Sequence, residues 1–281
     1  MTDRILVTGA TGTTGRHVAE ILRQRGRVAL SATRRPGKPD QVHLDWDQPA
    51  TFAAALEGVS AVYLVAPTDR TDHLATMRPF LEEAIRREVG PLVLLSAASL
   101  PEDGPMMGEV QGWLRVHAPR WVSLRPSWFM QNLIRQHLPG ILAEGRIRSA
   151  TGTGRVAFID AVDIARTAVA ALTSPDMATG DVVLTGPEPL SYDDVAAEIT
   201  RASGRPVQHE RLTEGELAAR HEAAGLPRDY AELLARMDGE IAGGAEDRTT
   251  DGVARLTGVA PTSFADFIHR ERTRFMDPIT R

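Results

Sequence analysis

Hydrophobic positions in the first half of the chain fall into short, nearly continuous runs. Arg4–Thr8, Arg27–Thr33, Asp40–Leu44, Ala61–Val65, Leu92–Leu95 and Trp121–Arg125 are each too short for a helix and rich in Val, Leu and Ala. Such runs predict strands buried on both faces. Between them the apolar residues recur at helical spacing, from His17 onward, over Thr51 to Glu57, over Leu74 to Glu88 and near Gly108 to Val116. Regular alternation of strand and helix predicts an α/β fold: a doubly wound, mostly parallel sheet with helices on both faces. The second half is less regular. Phe158–Asp160 enters a helix over Ala161 to Leu172, Asp181–Leu184 reads as a later strand, and Ser191-Tyr192-Asp193-Asp194 opens a helix as a capping segment. A short strand around Val207 to Glu210 and a helical run rich in Ala, Glu and Arg follow. From about Ser191 the pattern predicts a mostly helical cap with no clean boundary.

The first strand runs into evenly spaced glycines, Gly9-Ala10-Thr11-Gly12-Thr13-Thr14-Gly15, and a helix follows. A glycine turn between a strand and a helix N-terminus suits a pyrophosphate. The first glycine permits the tight turn, the second lets backbone approach the phosphates, and the third lets helix and strand pack closely. Unpaired N–H groups and the positive helix end then face the anion. The GxxGxxG spacing differs from the GxGxxG of standard dehydrogenases and points to the short-chain or extended reductase branch of the Rossmann folds. Phosphate contacts are expected from the backbone of Gly9, Thr11, Gly12, Thr13 and Thr14, with Gly15 closing the turn.

The second strand ends in Arg34-Arg35-Pro36-Gly37, and no Asp or Glu stands between Arg25 and Asp40. NAD sites place a carboxylate near this point for the ribose 2′-hydroxyl, whereas arginine accommodates a 2′-phosphate. Two guanidiniums without an acidic neighbour predict NADP(H). The competing reading is two solvated surface charges.

Composition narrows the classes further. A chain of 281 residues with net charge −5 can bury a large core and presents no basic excess for nucleic acid. No apolar run approaches a membrane span, and no signal peptide precedes the first strand, so a cytoplasmic protein is expected. The absence of cysteine removes thiolate chemistry and disulfides. His17, His43, His73, His117, His137, His209, His221 and His269 lack metal-ligand spacing, so no metal is expected.

Four phrases carry a family resemblance: Val7-Thr8-Gly9-Ala10-Thr11-Gly12 with Gly15; Leu124-Arg125-Pro126-Ser127-Trp128-Phe129-Met130-Gln131-Asn132; Phe158-Ile159-Asp160-Ala161-Val162-Asp163-Ile164-Ala165; and Leu184-Thr185-Gly186-Pro187-Glu188. Together they resemble the NmrA-like atypical short-chain reductases, and most of all the branch of clavine dehydrogenases and NAD(P)H quinone reductases. The resemblance implies one Rossmann-like domain over 1–281, NADP(H), and a small unsaturated substrate bound under a lobe drawn mainly from 133–155 and 185–281. Monomer or homodimer is expected.

One family feature is missing. Ordinary short-chain dehydrogenases use Tyr-x-x-x-Lys, in which the lysine lowers the tyrosine pKa for proton exchange with a carbonyl. Tyr63, Tyr192 and Tyr230 have no lysine four residues on, and Lys38 is the sole lysine. A quinone or iminium can accept hydride without a protein acid, leaving the protein to orient and dry the site. The expected reaction is therefore NADP(H)-dependent reduction of a quinone, imine or enone. A non-catalytic NADP(H) sensor that binds a protein partner stays open beside it, as does an isomerase or lyase that uses the cofactor transiently.

The strand ends supply the remaining candidates. Val65, Ala66, Pro67, Ser96 and Ala97 should flank ribose and nicotinamide. Asp45 is a candidate acceptor for the adenine amine, or else a solvated loop acid. Ser99, Trp128, Phe129 and Asn132 are candidates on the substrate side. For Ser96 and Ser99 loop capping is an equal alternative, and for Phe129 core packing is a serious one.

Overall fold

The computed structural model describes residues 3–68, 70–176 and 178–276. In chain order the strands are β1 (Arg4–Val7), β2 (Val28–Thr33), β3 (Gln41–His43), β4 (Val59–Leu64), β5 (Leu92–Leu95), β6 (Trp121–Pro126), β7 (Arg146–Ser149), β8 (Arg155–Val156), β9 (Gly180–Leu184), β10 (Leu190–Ser191) and β11 (Gln208–Arg211). The α-helices are α1 (Gly15–Gln24), α2 (Phe52–Ala55), α3 (His73–Arg86), α4 (Met107–His117), α5 (Leu138–Glu144), α6 (Ala161–Thr173), α7 (Tyr192–Ser203), α8 (Glu214–Ala223), α9 (Arg228–Ala242), α10 (Gly252–Thr257) and α11 (Phe264–Phe275). The backbone falls into two compact units. One comprises Met1–Pro126, Ala161–Leu184 and Gly252–Val259; the other comprises Ser127–Asp160, Thr185–Asp251 and Ala260–Arg281.

The first unit holds a seven-stranded sheet in the order β3-β2-β1-β4-β5-β6-β9. Every neighbouring pair in it is parallel. The order reverses between β1 and β4, the topological switch point where doubly wound sheets bind ligands beyond the strand ends. Thr8 holds this point together. Its hydroxyl accepts from the Val65 N–H at 2.7 Å and donates to the Tyr63 carbonyl at 3.1 Å. Helix α1 buries Val18, Ala19 and Leu22 at i, i+1 and i+4 and points its polar face outward. The core on the other side of the sheet contains an aromatic trio. Trp46 and Phe52 each meet Phe80 edge-on, at 5.4 and 5.5 Å between ring centroids.

The second unit has two small strand pairs: parallel β7–β11 and antiparallel β8–β10. Strand β7 escapes sequence reading because only Ile147 and Ser149 in Arg-Ile-Arg-Ser are buried. Arg148 points to Glu144 and to Glu210 on β11, so the strand shows charge where an apolar run would be sought. Phe158, Tyr192 and Phe264 form its aromatic centre, with Tyr192 edge-on to Phe158 at 5.6 Å. Helix α7 starts with the expected capping box, Ser191 reciprocating with Asp194, and α8 repeats the device with Thr213 and Glu216. Among the described residues no helix is long and apolar enough to cross a membrane.

Candidate functional site

The turn between β1 and α1 is a close backbone cradle. Gly9 adopts φ +60°, and its amide neighbours fold back so that the Gly12 N–H donates to the Gly9 carbonyl at 2.8 Å. A Cβ on Gly15 would stand 2.3 Å from that carbonyl oxygen, so the third glycine is required for packing within the loop. A Cβ on Gly12 would meet the same oxygen at 3.1 Å and nothing else within 4 Å. Gly9, Thr11 and Gly12 are exposed, Thr13 is half-buried and Thr14 is buried. The N–H groups of Thr11 and Thr14 have no protein acceptor among the described residues. Thr14 is the N-cap of α1, yet its side chain does not cap the helix, and no acid lies in the first turn. Instead Thr14 Oγ1 accepts a hydrogen bond from the buried Tyr63 hydroxyl at 3.0 Å. The helix N-terminus is thereby left open to an anion.

Arg34 and Arg35 follow β2 and are exposed, and neither guanidinium has an ion-pair partner among the described residues. The next acid, Asp40, is engaged by Arg23 at 2.6 Å. No carboxylate at the end of β2 is therefore free to meet a bare ribose. Asp45, just beyond β3, is half-buried. Its carboxylate accepts from Gln48 Nε2 at 2.7 Å and from the Asp47 N–H at 3.1 Å, so it orders its own loop.

Val65, Ala66 and Pro67 leave β4 half-buried, level with the glycine turn because Val7 pairs with Tyr63. Beyond β5, Ser96 is buried and its Oγ is sealed without a hydrogen-bond partner, while Ala97 is half-buried and Ser99 exposed. A sealed, unsatisfied hydroxyl is costly, and a ligand acceptor at the strand end would satisfy it. Arg125, which sequence reading passed over, holds this loop. It donates to the carbonyls of Ala98 and Leu100 at 3.2 and 2.9 Å and pairs with Asp181 at 2.8 Å.

The other substrate candidates belong to the second unit. The Ile159 N–H donates to the Trp128 carbonyl, the Met130 N–H donates to the Ile159 carbonyl, and Phe129 bridges Ile159, so Trp128–Met130 is held against Ile159. Trp128, Phe129 and Asn132 are half-buried, and Trp128 packs against the Met130, Phe158 and Phe264 core. Behind them Gln131 donates to the fully buried Asp160 at 2.8 Å, and Arg270 on α11 pairs with that carboxylate at 2.8 Å. Ser127 donates to the buried Glu246 at 2.9 Å. A single turn of π-helix, Leu133–His137, comes next. Burial holds the His137 pKa down at about 4 and pushes that of Asp238 on α9 up to about 6. The first unit thus brings the phosphate-loop, β2-end, β4-end and β5-end candidates to the carboxyl ends of its parallel strands, and the second unit keeps Trp128, Phe129 and Asn132 on one segment.

Comparison with known proteins agrees with the fold. A family model described as NAD(P)H-binding matches residues 9–175. The uncharacterized oxidoreductase YesF of Bacillus subtilis is 43% identical over 267 residues, covering 94% of this chain and 93% of its own. The agroclavine dehydrogenase of Claviceps fusiformis is 40% identical over 278 residues, covering 94% and 96%. In fold, the chain is similar to the NADPH-dependent quinone oxidoreductase of Escherichia coli solved with NADPH, at TM-score 0.83, 23% identity and 95% and 99% coverage. The triphenylmethane reductase of Citrobacter gives TM-score 0.82, 21% identity and the same coverage. The glycine cradle, the parallel sheet and these likenesses place the chain in the NAD(P)H-binding family, as an oxidoreductase.

Proposed function

We propose that the chain is an NADP(H)-dependent reductase that delivers hydride to a small quinone, imine, iminium or enone without a Tyr–Lys acid pair. The observation that carries the cofactor choice is the pair of unpartnered arginines after β2, with Asp40 occupied by Arg23. Cofactor fit rests on the backbone cradle at Gly9 to Gly15 and on the orphaned Ser96 hydroxyl. In this reading Gly9, Thr11, Gly12, Thr13 and Thr14 hold the pyrophosphate, with Gly15 closing the turn. Arg34 and Arg35 hold the 2′-phosphate, and Val65, Ala66, Pro67, Ser96 and Ala97 flank ribose and nicotinamide. Asp45 remains the acceptor proposed for the adenine amine. The bound cofactor supplies hydride; the protein orients the acceptor and excludes water.

The absence of a Tyr–Lys pair is supported by where the tyrosines sit. Tyr63 is sealed and donates to Thr14, Tyr192 is 4% exposed within the second unit's aromatic centre, and Tyr230 is 51% exposed on α9. The second unit serves as the substrate lobe, with Trp128, Phe129 and Asn132 on the substrate side, and Ser99 beyond β5 is a further substrate-side candidate. The partner is a small molecule, and a cytoplasmic monomer or homodimer fits this role. Loss of NADPH absorbance with naphthoquinones, cyclic imines and enones tests the proposal. Tight NADPH binding with no oxidation by any of these acceptors would instead identify a sensor. Trp128→Ala should lower turnover far more than NADPH affinity.

A further inference from the structure

Two buried carboxyls in the second unit have clear structural partners. Asp160 is matched by Arg270 and Gln131, and Asp238 accepts the Ala150 N–H at 2.9 Å. Glu246 differs. It lies in the loop after α9 with 5% of its surface exposed, and its side-chain partner among the described residues is a neutral hydroxyl, that of Ser127, also 5% exposed. No cation forms an ion pair with it among the described residues. Ser127 directly follows β6 and precedes Trp128, so the carboxyl is tied to the head of the proposed substrate segment. Its second oxygen, Oε1, makes no hydrogen bond among the described residues. Burial raises its pKa. The Ser127 hydrogen bond and the charge of Arg248, on its own loop, act the other way, and Glu240 on α9 adds to the rise.

We propose that Glu246 holds the proton consumed when the acceptor is a quinone or enone, and passes it on through the Ser127 hydroxyl. This rests on the reductase reading above. The balance is that of a two-electron reduction. NADPH gives a hydride, with its electron pair, to the acceptor and becomes NADP⁺. The electron pair of the acceptor's π system moves to its oxygen, which takes a proton from the Ser127 hydroxyl. Ser127 is refilled by the Glu246 carboxyl, and solvent returns a proton to the carboxylate. An N-alkyl iminium needs no proton, because hydride alone makes the neutral amine.

Glu246→Gln retains an acceptor for Ser127 and nearly the same volume. With a naphthoquinone as probe, kcat should fall about a hundredfold, in the range of general acid catalysis. The loss with a preformed N-alkyl cyclic iminium should be at least about tenfold smaller. Wild-type kcat on the quinone should decline as pH rises through a carboxyl pKa above the ordinary range, and the variant should lack that limb. An infrared carboxyl band of the wild-type protein should titrate in the same interval and vanish in Glu246→Gln, independently of turnover. Ser127→Ala, which keeps the acid, should reproduce the selective quinone loss. Equal losses on both acceptors, a pH limb retained in the variant, or a wild type that reduces only the iminium would each overturn the relay. A wild type that reduces neither acceptor would overturn the reductase reading itself.

Discussion

Replacing Arg34 and Arg35 together with alanine separates a phosphate-binding pair from ordinary surface charge. Both side chains are exposed and make no ion pair among the described residues, so the free protein should lose no stability. A charge-assisted contact contributes about 1.5–3 kcal/mol, and partial exposure pulls each toward the lower end of that range. One or two such contacts give a wild-type preference for NADPH over NADH of about ten- to a hundredfold, since about 1.4 kcal/mol is tenfold. The double variant should lose most of that factor for NADPH and change NADH affinity by less than about twofold, because only NADPH carries the 2′-phosphate. Screening offers a second check. The Debye length shrinks from about 10 Å at 0.1 M salt to about 3 Å at 1 M, so the preference should shrink with it. Calorimetric titrations of both cofactors with wild type and variant, at low and high salt, measure all eight affinities. Equal wild-type affinities, or equal losses for the two cofactors in the variant, would refute the assignment.

Four further perturbations test other parts of the structure. Gly12→Val should fold and lose NADPH affinity by at least about tenfold, since its Cβ meets only the Gly9 carbonyl, at 3.1 Å, while Gly15→Ala should cost about 1–3 kcal/mol of stability in a denaturant titration because its Cβ would sit 2.3 Å from that oxygen. Unchanged NADPH affinity in folded Gly12→Val would sink the phosphate-loop reading. Tyr63→Phe removes the buried bond to Thr14 and should cost about 1 kcal/mol in stability with kcat kept within about threefold; a hundredfold fall in kcat would make Tyr63 a catalytic acid. Asp238 is raised from 3.8 to about 6 in the folded protein, chiefly by burial, so it favours folding most below about pH 4 and loses that contribution as pH rises through 6. Asp238→Asn, which still accepts from Ala150, should therefore add about 1–2 kcal/mol at neutral pH and almost nothing near pH 4, as urea titrations at both values would show.

The parts of the molecule legible in the sequence are those whose physics is local. Three glycines within seven residues announce the cradle because the strand, the turn and the helix end that use them are contiguous. The six apolar runs of the first half become β1 to β6, and β1, β4 and β5 are the most plainly apolar because strands buried on both faces exclude polar residues. What escaped was non-local or polar. Strands β7 and β8 are too short and too charged to register as strands, and each is completed by a partner distant in the chain. Arg125 could be quoted as part of a phrase, but its three loop contacts depend on β5 and β6 lying side by side. Trp46 stands between two acids in the sequence, yet its ring packs edge-on against Phe52 and Phe80.

The same contrast explains why the cofactor is easier to read than the substrate. Pyrophosphate binding uses backbone N–H groups, which every residue carries, so the sequence only has to supply glycines where a side chain would intrude. Substrate binding uses side chains gathered from far apart: the Ser127–Glu246 bond joins residues 119 positions distant, and Gln131 reaches Asp160 across 29. Neither pairing leaves a pattern within any short window. A buried glutamate in an alanine- and glutamate-rich helical region looks like one more solvated acid until the fold places it against the hydroxyl before Trp128. The acid that replaces a missing tyrosine is therefore better sought among buried carboxyls without cationic partners than among motifs; in the second unit Asp238 and Glu246 both meet that description, and Glu246 is the one tied to a hydroxyl at the head of the proposed substrate segment.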